Sequence, residues 1–205
     1  MIDLYFANSG NSLRAVLALE ECGLPYQAHK LDLQKKEQKS PSYLAINPFG
    51  VVPAMHDSDG IDGRPVTLTQ SGAILLYAAE KTKQLVPADP VRRLAALQWF
   101  LMATTDAAPA NAIIFYMDAN VPDLSAAARA YLQERFVGLM RAVESHLAAP
   151  DRLYLAGEFS IADVALFPVV RIRRSVMQQV GGFTHIFAWA DRLMERDAFQ
   201  RAIAA

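Results

Sequence analysis

The chain has 205 residues, 53% of them hydrophobic, and its 20 basic and 21 acidic side chains leave a net charge of −1. That is enough apolar material for one large core or two small ones, and the balanced charge gives no field to attract nucleic acid or an anionic membrane surface. A single cysteine, Cys22, excludes an internal disulfide and a C-x-x-C motif, and His29, His56, His146 and His185 are too scattered to indicate a metal site. The start, Met1-Ile2-Asp3-Leu4-Tyr5, lacks a basic, then apolar, secretory leader and reads as a strand, so a cytoplasmic location is expected.

Residues 3–7 predict a first strand, ended by the turn-forming cluster Asn8-Ser9-Gly10-Asn11-Ser12. Leu13, Val16, Leu17 and Leu19 then follow at helical spacing up to Gly23, which suits a left-handed cap, and Pro25, which cannot continue the helix. Residues 26–33 read as a second strand, parallel to the first through a right-handed crossover. The charged run 35–39 reads as a solvated loop, and Ser40-Pro41 as a cap with proline at the first helical position, opening a short helix through Leu44 and Ile46.

Val51-Val52-Pro53-Ala54 begins the next strand, where proline is tolerated. A cis Val52–Pro53 bond would turn the Val52 amide and carbonyl outward, to pair with an extended peptide. The Asp/Gly-rich segment 57–63 turns the chain into a return strand, 65–68, and Gln70-Ser71-Gly72-Ala73-Ile74 opens a helix whose free amides would favour a carboxylate. On local chemistry alone, Pro53 reads as a strand starter and Ser71 as a plain cap.

Two prolines in residues 85–90 mark a linker between a strand-bearing region, 1–84, and a region without strand signals, 91–205. The apolar tract 94–117 is broken by Gln98, Asp106, Pro109 and Asn111 and reads as a buried helix bent at Pro109 rather than a membrane span. Leu132, Phe136, Leu139, Met140, Val143 and Leu147 give the helix 125–147 one buried face. Ser160-Ile161-Ala162-Asp163 is a capping box, with Phe159 and Val164 at staple positions, opening a helix 161–177. Gly181-Gly182 marks a turn, and residues 186–204 supply one or two closing helices.

With Val52-Pro53-Ala54, Gln70-Ser71-Gly72-Ala73-Ile74 and the Phe159 to Ala165 capping box in that order, nearly the whole chain resembles the glutathione S-transferase family. The implied fold class is α/β plus all-α: an N-terminal thioredoxin-like domain, with a mixed four-stranded sheet and three helices, followed by a C-terminal helical bundle. The Ser-Gly-Asn loop looks most like the bacterial Nu-like branch, which uses Thr-Pro-Asn; Ser9-Gly10 is the departure, leaving open whether Ser9 or Asn11 dominates. The resemblance implies Ser9 and Asn11 as catalytic donors to the glutathione sulfur, and Gln38, Val52, Pro53, Gln70 and Ser71 as glutathione contacts. The hydroxyl or amide of such a donor favours thiolate, the reactive nucleophile, over thiol. Without a ligand, Ser9 is a turn residue or cap of the Leu13 helix, with Ser12 the better cap, and Gln38 a solvated glutamine beside Lys35 and Lys39.

The resemblance also implies an electrophile pocket around residues 103–116, although Met102, Ile113, Phe115 and Tyr116 each read more simply as core. It further implies a homodimer that uses glutathione as co-substrate and needs no metal, nucleic acid or membrane. Cys22 lies away from the family's catalytic position, and neither Ser9 nor Ser71 stands in G-x-S-x-G. The rival functions are a glutathione-dependent disulfide reductase or peroxidase, and a non-catalytic binding or regulatory module of the same fold.

Overall fold

The computed structural model describes residues Met1–Ala205. Its contacts divide the chain into two units, Met1–Val86 with Glu195–Ala205, and Pro87–Met194.

The first unit is built on a four-stranded sheet. Strands β1 (Ile2–Phe6) and β2 (Tyr26–Lys30) are joined through helix α1 (Gly10–Glu21); helix α2 (Pro41–Ile46) precedes β3 (Ala54–Asp57), and β4 (Val66–Thr69) leads into helix α3 (Ser71–Thr82). The spatial order is β2-β1-β3-β4. Strand β1 runs parallel to β2, with Ile2 beside Tyr26, and antiparallel to β3, with Leu4 beside Met55; β3 pairs antiparallel with β4. Leu4, Met55, Leu17, Leu19, Ile74 and Leu75 are fully buried and form the core of this thioredoxin-like unit. Tyr77 and Lys81 of α3 donate to the Asp57 carboxylate of β3 at 2.7 and 2.6 Å. Burial works against that charge, but the bonds from Lys81, the Asp59 amide and Tyr77 outweigh it and hold the pKa at about 2.

Helix α1 starts three residues before the first apolar position because Ser9, not Ser12, is its cap. The Ser9 side chain accepts the Ser12 amide at 3.1 Å, so Gly10, Asn11 and Ser12 are helical rather than part of a turn. Gly23 follows the helix at φ +62°. Ser40 caps α2 through the Tyr43 amide, with Pro41 at its first position. Strand β2 stops at Lys30, and the charged run beyond it includes a short 3-10 turn, Glu37–Lys39.

The second unit is all helical: α4 (Pro90–Leu101), a π-helical segment Met102–Ala107, α5 (Ala108–Asn120), α6 (Ala126–Leu147), α7 (Ile161–Val180) and α8 (Thr184–Met194). Asp89 caps α4 through the Arg92 amide, so the helix begins inside the expected linker. The tract 94–117 is helical but not buried throughout. Its inner face is Ala96, Phe100, Ala103, Ala107, Ala110 and Ile114, whereas Leu94, Phe115, Tyr116 and Ile113 are 67, 62, 60 and 44% exposed within the chain, which overturns the core reading of the last three. Where a simple bend was expected at Pro109, the wider π turn precedes it, giving room to a ring that would crowd the carbonyl four residues back. No helix is long and apolar enough to cross a membrane.

The capping box of α7 is complete: Ser160 and Asp163 each accept from the other's stretch of backbone or its neighbour, and Asp163 also receives the Leu155 amide at 3.0 Å and the Trp189 indole at 2.8 Å. The chain closes with helix α9 (Asp197–Ala204), which groups with the first unit although the sequence places residues 91–205 together. It packs on α1, where Arg196 forms a two-pronged bond to Glu21, both arms at 2.7 Å, and Arg201 bonds Glu20 at 2.7 Å.

Candidate active site

The loop after β1 is shaped by two serines. Ser12 Oγ accepts the Ala7 amide at 3.1 Å, and Ser9 Oγ donates to Ser12 Oγ at 3.0 Å while accepting the Ser12 amide. The hydroxyl hydrogen of Ser9 is therefore engaged within the cap. Asn11, the second residue of α1, is exposed.

Arg14 lies behind Asn11 and is 2% exposed. It is the lone charge in the apolar run Leu13-Arg14-Ala15-Val16-Leu17, which is the sequence signal that could have marked it. Its Nη1 donates to Asn11 Oδ1 at 2.8 Å and to Ser71 Oγ at 2.8 Å. Burial lowers its pKa to about 10, so it keeps its charge at neutral pH. Because guanidinium only donates, Asn11 must present its carbonyl oxygen to Arg14 and its amide hydrogens elsewhere.

Ser71 is the first residue of α3 and is buried. Gln70, in the cap position, is exposed at φ +76° and ψ 118°, and its side chain makes no capping bond, leaving the first amides of α3 without a side-chain acceptor from that residue. The Val52–Pro53 bond is cis. Just before it, the Val51 carbonyl accepts from both Tyr43 Oη and Asn47 Nδ2 at 2.6 Å, whereas the amide and carbonyl of Val52 make no hydrogen bond within the chain.

Gln38 and Lys39 lie against this segment through Gly50, whose φ of +59° suits glycine. A Cβ there would come within 2.8 Å of Lys39 Nζ and 3.0 Å of the Gln38 carbonyl. The Gln38 side-chain oxygen is buried without a hydrogen-bond partner, an unmet acceptor rather than the solvated amide expected. Cys22 is buried at the other end of α1, and burial pushes its thiol pKa up, so it is inert as a nucleophile.

The structure thus brings Asn11 and Ser71 to one arginine nitrogen. It places Ser9 beside Asn11 in the cap and Gln70 beside Ser71 at the helix mouth. Val52 and Pro53 occupy the lead into β3, and Gln38 the loop packed against that lead.

The first unit thus combines a thioredoxin-like sheet, a cis-proline before β3 and an α3 start that its cap residue leaves without a side-chain acceptor. The chain matches the family model for the glutathione S-transferase N-terminal domain over residues 8–81 and that for the C-terminal domain over residues 111–192. It is 33% identical over 205 residues to the disulfide-bond oxidoreductase YfcG of Escherichia coli, covering 99% of this chain and 94% of that protein. It is 30% identical over 218 residues to glutathione S-transferase F9 of Arabidopsis thaliana, covering 100% and 97%.

Among solved structures, a Pseudomonas putida glutathione transferase with one glutathione disulfide bound per subunit superposes with a TM-score of 0.89 at 30% identity, covering 98% of this chain and 90% of that one. A Burkholderia graminis glutathione transferase with two glutathione molecules per subunit gives 0.90 at 29% identity, covering 100% and 88%. The chain belongs to the glutathione S-transferase family.

Proposed function

We propose that the protein is a glutathione transferase that ionises the thiol of glutathione through Asn11 and delivers the thiolate to a hydrophobic electrophile. The γ-glutamyl carboxylate lies at the mouth of α3 against Gln70 and Ser71, the cysteinyl backbone pairs with Val52 beside Pro53, and the glycyl end reaches Gln38 and Lys39. The thiol then stands at the start of α1, and its proton leaves to solvent as sulfur accepts from Asn11 Nδ2. Ser9 supports this group as the cap that holds the first turn. The thiolate attacks the electrophilic carbon, forming a carbon–sulfur bond as the leaving group departs or the activated double bond takes up a proton.

The observation that carries this reading is the 2.8 Å bond from Arg14 to Asn11 Oδ1, which turns the exposed amide hydrogens of Asn11 outward. Calorimetric titration with glutathione tests it: binding between micromolar and low millimolar is expected, and no binding removes the reading in favour of a non-catalytic module.

A second reading keeps the same thiolate and changes its acceptor to a disulfide, which it cleaves to a mixed disulfide and a free thiolate. It is favoured by the inert, buried Cys22, which leaves bound glutathione as the reacting thiol, and by the likeness to a disulfide-bond oxidoreductase. Turnover of an aryl halide against hydroxyethyl disulfide separates the two. A homodimer completes the proposal, supported by Val91, Leu94 and Leu101, which lie exposed along one face of α4; sedimentation equilibrium checks it.

A further inference from the structure

We infer that Arg14 is a positioning residue that sets the direction of hydrogen-bond donation at both ends of the glutathione site, the sulfur end through Asn11 and the carboxylate end through Ser71. This rests on the glutathione reading above. One nitrogen, Nη1, carries two hydrogens, and the two bonds at 2.8 Å use one each. Neither bond can run the other way, because a guanidinium has no acceptor.

The consequence for Asn11 is that its carbonyl oxygen is held and its NH2 faces away, so an anion meets donors rather than the oxygen that an unconstrained amide could equally present. For Ser71, one lone pair of Oγ is occupied by Arg14, and its own hydrogen is left to donate to a carboxylate at the helix mouth. Both bonds are charge-assisted and buried, so they are stronger than their neutral equivalents and hold the groups more firmly. Asn11 is on the first turn of α1 and Ser71 opens α3, 60 positions later in the chain, so the arginine ties two separately formed helix starts into one constellation. Arg14 itself, buried behind both, makes no contact with the sulfur in this arrangement; it acts through the groups it orients.

The test uses the full chain and two ligands. S-methylglutathione, which has no ionisable thiol, reports the carboxylate end by its dissociation constant, and thiolate absorbance of bound glutathione reports the sulfur end by its pKa. Arg14→Met keeps the volume and removes the donor, a type of change that buried sites often tolerate. It is expected to weaken S-methylglutathione binding about tenfold and to raise the bound thiol pKa by about one unit, each equivalent to about 1.4 kcal/mol. Arg14→Lys, which keeps a charge and donors, is expected to recover part of both.

In the Arg14→Met background, Asn11→Ala should no longer move the thiol pKa, a coupling that a purely structural arginine would not produce. A folded Arg14→Met that shifts only one readout, or neither, overturns the inference. Should that variant fail to fold, Arg14→Lys decides: both readouts are expected to move together by less, and movement of one alone overturns it. Loss of glutathione binding in the unaltered protein would instead remove the functional reading itself, which the same titration shows separately.

Discussion

At the residue scale, Ser9 offers one hydroxyl hydrogen and Asn11 two amide hydrogens, and only those of Asn11 remain available. The Ser9 hydrogen goes to Ser12 at 3.0 Å, and its lone pairs serve the cap. Substitution should separate the two roles. Ser9→Ala is expected to cost about 1 kcal/mol of stability through the lost cap, with the bound thiol pKa unchanged. Asn11→Ala is expected to raise that pKa by about one unit at little cost in stability. Thermal melts and thiolate absorbance on the same pair of variants check this, and the reverse pattern would return the catalytic role to the serine. The serine-rich loop was visible in the sequence, but the choice between its two candidate caps, Ser9 and Ser12, depended on where the Ser12 hydroxyl points. That is set by the Ala7 amide just past the end of β1, and residue spacing carries no record of it.

At the scale of elements, the start of α7 shows a conflict between burial and hydrogen bonding. Asp163 is fully buried, and desolvation pushes its pKa up to about 6, while the Leu155 amide, the Trp189 indole and the amide and hydroxyl of Ser160 all favour the charged form. A folded pKa above the unfolded value gives a stability contribution that is full below the unfolded pKa of about 4 and is lost as pH rises through about 6. His146 works in the opposite sense, since burial lowers its pKa, so the raw pH profile mixes the two.

The difference between the natural protein and Asp163→Asn isolates the carboxyl group. Its stability advantage is expected to widen by up to about 3 kcal/mol on going from pH 7 to pH 4. Both tryptophans, Trp99 and Trp189, lie in the Pro87–Met194 unit, so fluorescence-monitored denaturation reads this directly. An advantage that shrinks toward acid would mean that the four donors outweigh burial.

At the scale of the whole molecule, the first unit is not a continuous stretch of chain. Helix α9 buries Phe199 completely and packs on α1 with Arg196 and Arg201 paired to Glu21 and Glu20. Removing residues 195–205 is therefore expected to destabilise that unit by several kcal/mol, since one large buried aromatic alone is worth about 3–5 kcal/mol, and to abolish glutathione binding at 37 °C. Circular dichroism melts with and without the segment, together with glutathione titration, check it; unchanged binding would make α9 dispensable.

This return of the chain was illegible in advance because α9 has the same amphipathic pattern as any closing helix, and periodicity shows that a face is covered without showing by what. The succession of elements along the first unit, the proline before β3 and the capping box were legible because each is marked by residues a few positions apart. Arg14 was not, because its two partners lie three and 57 positions from it.

Gln70 sits at φ +76°, a region where a side chain beyond hydrogen is disfavoured and glycine rests easily. The fold thus tolerates an energetic penalty at the threshold of α3 in order to keep an amide there. Gln70→Gly should melt higher than the natural protein, by about 1 kcal/mol in stability, and bind glutathione less well. Selection for heat resistance alone would therefore drive this position toward an emptier and sturdier threshold, at the expense of whatever the amide holds there.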